Sequence, residues 1–336
     1  MRRSARLALP LAIALTAASP ACGAGDDDAL TIYSGRTQDL VQPLLERFAD
    51  EEGVAIRVRY GDTAELASTI LEEGENSPAD VFFAQDAGAL GALAEEGRLR
   101  ELPAGVLETV PAGFRSDDGL WVGVSARARV VAYSTERVDP ADLPDSIEAF
   151  TGPEWNGRIG WAPTNASFQA FVTAFRRLEG DDAAREWLDG ILANDPIEYP
   201  NNLAAVDGVA DGEIDVAFVN HYYLFVLKAQ EGDDYPVANH YLAGGDPGAL
   251  VNVAGASILD TAERPDDAER FLRFLLSDRS QRYFAEETYE YPLVDGVPTD
   301  PRLLPLGRIE HPELDLAALS DLEGTLELLR DAGVLP

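Results

Sequence analysis

Along the first third of the chain the apolar positions switch repeatedly between two periods. Leu30 to Tyr33 is a short apolar run, after which Leu40, Val41, Leu44, Leu45 and Phe48 recur at helical spacing as far as Gly53. Val54, Ile56 and Val58 then alternate with Ala55, Arg57 and Arg59, the period of a half-buried strand. Gly61-Asp62-Thr63 turns the chain into a second helix, Ala64 to Glu73. A third strand, Asp80 to Phe83, leads into a helix from Asp86 to Glu96. Pro43 fits the first helix only in its first turn or at a kink. The middle of the chain repeats the theme, with strands at 129–133, 216–219 and 251–259 and helices at 167–178, 182–192, 203–209 and 222–230, the last closed by Gly232. Further helices are predicted over 262–276, 280–287 and 322–332.

Strands alternating with helices predict an α/β fold whose sheets are mostly parallel and flanked by helices. Ligands on such sheets collect in loops beyond the carboxyl ends of the strands, which here are 34–37, 60–63 and 84–86. A chain of 336 residues is too long for one compact core. The pattern divides it into two lobes with a ligand cleft between them. Lobe 1 is expected over 30–112 plus 254–302, lobe 2 over 113–253 plus 303–336, and the chain crosses between them near 110–127 and 248–256.

The long apolar stretch at the start has another meaning. Arg2, Arg3 and Arg6 precede an apolar run from Leu7 to Ala18, the layout of an export signal. Ser19-Pro20-Ala21-Cys22 follows, and Cys22 is the only cysteine in the chain. The segment resembles a bacterial lipobox, although Ser19 stands where lipoboxes usually carry Leu. Ordinary cleavage after Ala21 is the other reading. Residues 1–22 are thus expected to be a signal segment and 23–29 a flexible tether. The protein is expected outside the cytoplasm, lipid-anchored through Cys22 to the outer face of the cytoplasmic membrane, and periplasmic where an outer membrane exists. Without a second cysteine there is neither a disulfide framework nor a thiolate metal site.

Charge and chemistry narrow the function. A formal net charge of -34 argues against nucleic acid as a partner, because phosphate backbones are held by Lys and Arg. The chain has three histidines and shows no nucleophile elbow, P-loop or His-rich metal motif. A non-enzymatic protein is therefore expected.

The most informative segment is Val216-Ala217-Phe218-Val219-Asn220-His221-Tyr222-Tyr223. A strand ends, Asn220 is placed to cap the next helix, and two adjacent tyrosines open that helix. Adjacent helical residues point about 100° apart, an odd arrangement for two core-packing rings. Ordinary aromatic packing is one reading. Convergence of two phenols on a hard cation such as Fe³⁺ is the other, the metal's field removing the phenolic protons. His221 reads as a surface residue, with metal ligation as its alternative.

Seven segments in order resemble the ferric-iron-binding proteins of bacterial ABC importers, which have the type 2 periplasmic-binding-protein fold. They are Ile32-Tyr33-Ser34-Gly35-Arg36, Ser77-Pro78-Ala79-Asp80-Val81-Phe82-Phe83, Arg127-Ala128-Arg129-Val130-Val131, Trp155-Asn156-Gly157-Arg158-Ile159-Gly160, Asn220-His221-Tyr222-Tyr223, Asp246-Pro247-Gly248-Ala249-Leu250 and Glu290-Tyr291-Pro292-Leu293. The resemblance implies Fe³⁺ ligation by Tyr222 and Tyr223, a synergistic carbonate or phosphate, and delivery by a monomer to an ABC permease. It places the anion against Asn165, Ala166, Ser167, Asn202 and Asn220. The first three open a predicted helix, itself an anion-favouring position. Arg36 and Arg127 are further candidates for the anion, or else form ion pairs.

This chain departs from the family pattern in the first lobe. Thr37 and Gln85 stand where other members carry His and Glu ligands. Tyr60 and Tyr199 are candidate third phenols, with core packing as the other reading of each. Asp86 is a further candidate whose simpler reading is a helix cap. A ferric chelate such as ferric citrate, or an anionic organic or phosphorylated solute, is the alternative cargo.

Overall fold

The computed structural model describes residues 28–336; the signal and Cys22 expectations lie outside them, as does the expected tether up to residue 27. The first wing is built from β1 (Leu30–Ser34), α1 (Gln38–Glu52), β2 (Ile56–Tyr60), α2 (Thr63–Glu73), β3 (Val81–Ala84), α3 (Ala87–Glu95) and the short α4 (Ala104–Leu107). The apolar stripe of α1 is buried through Leu40, Val41, Leu44, Leu45 and Phe48, and the helix ends at Gly53 with φ 65°. Pro43 falls in the second turn and the helix runs on through it, at the cost of one backbone hydrogen bond.

The chain then enters β4 (Val122–Ser134), buried along its whole length, and passes to β5 (Ile159–Trp161), α5 (Ala166–Glu179), α6 (Asp181–Ala193), β6 (Ile197–Glu198), α7 (Asn202–Asp211), β7 (Val216–Asn220), α8 (Tyr222–Glu231), β8 (Val237–His240) and β9 (Val251–Ile258). The remaining elements are α9 (Pro265–Leu275), α10 (Asp278–Glu286), β10 (Tyr291–Pro292) and α11 (Leu322–Asp331). The helix expected from Ala262 begins instead at Pro265. A proline belongs in a first turn, and the Arg264 N–H ahead of it donates to Asp80 Oδ1 at 2.9 Å.

The strands form one sheet in the order β2-β1-β3-β9-β4-β7-β5-β6, with β8 and β10 also paired to β4. Pairs at the edges (β1 with β2 and β3, β5 with β6 and β7) are parallel, while those through the middle are antiparallel. The crossing strand β4 positions the site. Its first half, to Ala128, pairs with β9, and from Arg129 onward it pairs with β7. The change of partner puts the two wings on either side of the Ala128–Arg129 step. Near the start of β4 only glycine fits at Gly123, where a Cβ would lie 2.5 Å from the Phe114 carbonyl oxygen. The carboxyl-terminal segment touches both wings. Its turn at Leu316–Ser320 packs on α3, and α11 packs on α5, where Thr173 and Thr325 share a 2.7 Å hydrogen bond.

Candidate metal and anion site

The site grows from the end of β7. Asn220 is the last strand residue, paired with Arg129, and the chain enters α8 through His221, already helical at φ -55°, ψ -36°. Asn220 therefore does not cap the helix as its sequence position suggests, and neither amide atom of its buried side chain has a hydrogen-bond partner. Tyr222 and Tyr223 follow at 1% and 2% exposure, their ring centroids 4.1 Å apart. Neither phenol oxygen is hydrogen-bonded among the described residues. The Tyr222 hydroxyl titrates well above the ordinary tyrosine range because it is buried and faces Tyr223 and Glu290, against the opposing pull of Arg36 and Arg127. Ionising it takes a strong local positive field.

His221 is the reverse of a surface residue, being fully buried. Its Nδ1 accepts from the Ala128 N–H at 3.2 Å, and Nε2 lies 3.0 Å from the Tyr289 carbonyl oxygen. Its ring stacks on Tyr291 with centroids 4.5 Å apart. Burial drives its pKa down to about 4, so the neutral ring fits one tautomer, with the proton on Nε2. His221 thus ties the residue before the phenol pair to the step where β4 changes partners.

Three arginines surround the phenols. Arg36 follows β1 beyond Gly35, where a Cβ would sit 2.0 Å from Thr63 Oγ1. It forms a buried two-pronged pair with Glu290 at 3.0 and 2.7 Å. Burial would lower the Arg36 pKa, but the Glu290 carboxylate outweighs it and holds the guanidinium firmly charged. Ser125 and Thr288 hydroxyls donate to the same carboxylate at 3.0 and 2.9 Å. Glu290 stays ionised because Arg36 overcomes the penalty of burial. Arg129 donates to the Phe218 carbonyl at 3.0 Å and lies over the Phe171 ring; burial brings its pKa to about 9.

Arg127 is different. It is 1% exposed, and none of its three guanidinium nitrogens has a hydrogen-bond partner. Burial and the neighbouring Arg36 both disfavour its charge. Beside it in the ladder stands Asn252, with an unpartnered Nδ2, and at the end of β3 Gln85 has an unpartnered Nε2. Native interiors leave few buried polar groups without a partner. Here several, most of them donors, share one place.

The remaining candidates separate from this cluster. Asn165 caps α5, its Oδ1 accepting from the Ser167 N–H at 3.0 Å and the Ser167 hydroxyl at 2.6 Å. Ser167 Oγ in turn accepts from Asn202 and Arg129 at 3.5 and 3.4 Å. Ala166 is buried in the same turn. These groups neighbour the phenol pair through Arg129 and satisfy one another. Asp86 caps α3 by accepting from the Ala89 N–H at 3.2 Å, and burial raises its pKa against the pull of Arg127. Thr37 is exposed at the start of α1. Tyr60 is half-buried with Glu46 as its charged neighbour and makes no ring contact or hydrogen bond to the phenol pair. Tyr199 is committed elsewhere, donating to Glu213 at 2.9 Å with its ring against Gly160 and Gly208. The structure brings neither candidate third phenol to Tyr222 and Tyr223.

Sequence reasoning missed the roles of Arg129, Glu290, Ser125 and Asn252. One local signal was available: Ser125, Arg127 and Arg129 recur at every second position of an otherwise apolar strand, so one face of β4 is polar and buried. Among the described residues no group of three or more His, Cys, Asp or Glu is placed to hold a metal ion. The Glu290 carboxylate is taken up by Arg36, Ser125 and Thr288, which leaves the two phenol oxygens as uncommitted oxygen donors for a hard cation.

Two α/β wings meeting at a pair of crossing strands, with the buried polar cluster at the join, define a solute-binding protein. The chain belongs to the bacterial extracellular solute-binding protein family, whose pattern matches residues 76–312. It is 35% identical over 340 aligned residues to the major ferric iron-binding protein of Neisseria meningitidis serogroup B, covering 99% of this chain and 100% of that one. Iron-bound HitA from Pseudomonas aeruginosa superposes with a TM-score of 0.87 at 36% identity, over 91% of this chain and 99% of that chain. Trichodesmium IdiA (FutA), solved with iron and citrate ligands, gives a TM-score of 0.75 at 30% identity, over 91% and 99% of the two chains. The periplasmic-binding-protein fold is shared with both structures, and the family's role is solute binding outside the cytoplasm.

Proposed function

We propose that this protein captures ferric iron outside the cytoplasm through the paired phenolates of Tyr222 and Tyr223, completes the shell with a small anion held by Arg127, and delivers the metal to an ABC permease. The observation that carries the proposal is a juxtaposition. Two buried phenols without hydrogen-bond partners stand beside an arginine whose guanidinium is wholly unpartnered.

Charge explains why both components are needed. A trivalent cation that displaces two phenolic protons leaves one positive charge on the metal and its two ligands. Arg127 and Arg129 add two more, while Arg36 is neutralised by Glu290. A dianion such as carbonate offsets most of this excess, and so does phosphate. The planar guanidinium of Arg127 matches a planar oxyanion with two parallel hydrogen bonds, which favours carbonate. Asn220 supplies a further amide donor at the end of β7. The anion and metal therefore stabilise each other, each removing a buried charge that the other leaves exposed to a low-dielectric surround.

Capture begins on the wing that carries β7 and α8. The wings then close about β4 and β9, excluding water and fixing the shape the permease meets. A lipid anchor at Cys22 keeps the carrier beside its permease.

Equilibrium dialysis against ferric nitrilotriacetate tests the assignment. One iron per chain is expected, with binding lost in the Tyr222→Phe/Tyr223→Phe protein. Equal binding by the two proteins would contradict it.

A further inference from the structure

Beyond its first turn, α8 forms one wall of an open hollow of about 740 Å³, lined also by β8 and the strap at 301–305. This volume falls within the range of about 300–1,000 Å³ usual for small-molecule sites. Leu224, Leu303, Leu304 and Pro305 give it an apolar lining. The strap is fixed in place by the Tyr291 hydroxyl, which donates to the Leu304 carbonyl at 2.6 Å.

Its charges are unusual for so acidic a chain. Lys228, the only lysine, and Arg308 both line the hollow, and neither side chain has an ion-pair or hydrogen-bond partner among the described residues. Arg302 is not a spare cation. It is paired with Asp300 at 2.9 Å and Asp233 at 3.2 Å, and its guanidinium lies over the Phe225 and Tyr289 rings. At the inner end, Asn239 donates through Nδ2 to the His221 carbonyl at 2.8 Å, while its buried Oδ1 has no partner.

We infer that this hollow is a second ligand site, taking a small amphipathic carboxylate such as an N-acylated amino acid. Lys228 and Arg308 receive the carboxylate, and the leucines and Pro305 cover the apolar body. A ferric complex does not suit it, since its lining presents no paired phenols. The site is separate from the metal cluster, lying on the flank of α8, with Asn239 and Tyr291 linking its lining to His221.

Isothermal titration of the full chain with N-acetyl-L-phenylalanine tests the assignment, with N-acetyl-L-phenylalaninamide as the neutral control. Saturable binding of one carboxylate per chain is expected, with the amide at least about tenfold weaker, a difference of about 1.4 kcal/mol. Lys228→Glu/Arg308→Glu should weaken the carboxylate by a similar factor, and Tyr222→Phe/Tyr223→Phe should leave its binding unchanged. Equal binding of carboxylate and amide to the wild-type chain would overturn the inference. So would the absence of saturable binding, or loss of binding in the phenylalanine variant, which would place the probe in the metal cleft.

Discussion

Two polar clusters lie on either side of Arg129, and they resolve their burial in opposite ways. At the start of α5, Asn202, Ser167 and Asn165 form a chain of hydrogen bonds, each to the next. Around Arg127, buried guanidinium and amide nitrogens go unpartnered. A buried polar group without a partner costs free energy, and a buried charge costs more. The first cluster stabilises the fold without help. The second makes sense as half of an interaction whose other half is a metal and an anion.

Substitutions can break this contrast, and their expected effects run from large to small. Removing both phenol oxygens in Tyr222→Phe/Tyr223→Phe should lower iron affinity by more than the roughly 10–100-fold typical of losing an outer partner, because two direct ligands go; dialysis reads this. Glu290→Gln breaks the buried pair with Arg36 and should destabilise the iron-free protein by about 3–5 kcal/mol in urea.

Acid should act through His221. Its folded-state pKa is depressed from 6.5 to about 4, so the unfolded chain takes up a proton first. The stability it contributes is complete above pH 6.5 and is lost as pH falls toward 4. A urea series across that window should show the decline in wild type and a flatter profile in His221→Gln.

Arg127→Met should do two opposed things. It should weaken iron binding at least about tenfold and raise the stability of the iron-free chain by about 1–3 kcal/mol, since an unpaired buried cation is removed. Asn165→Ala should cost only about 1 kcal/mol through the lost cap and barely change iron affinity. If Asn165→Ala proved the more damaging of the two for iron binding, the contrast between the clusters would be reversed.

The sequence made the helices and longer strands legible because their apolar periods are local. It could not reveal β5, β6 and β8, whose two to four residues are too few to show alternation. The phenol pair stood out by its adjacency, but its reading as a metal site, like the candidacy of Arg127, came with the family resemblance. Glu290 was hidden by distance, since its partner Arg36 lies 254 positions away. Asn220 misled because an Asn before a helix usually caps it, whereas here β7 runs into α8 without an extended capping residue. His221 misled because an isolated polar ring gives no sign of the backbone groups that the tertiary fold presents to it.

The central claim is that Fe³⁺ is held by two phenolates. Resonance Raman spectroscopy, excited in the visible charge-transfer band of the iron-loaded protein, tests it most directly. The account predicts tyrosinate ring modes that vanish with the band in Tyr222→Phe/Tyr223→Phe and strengthen when carbonate is supplied. Iron-loaded protein without tyrosinate modes, or with modes unchanged in the variant, would contradict it.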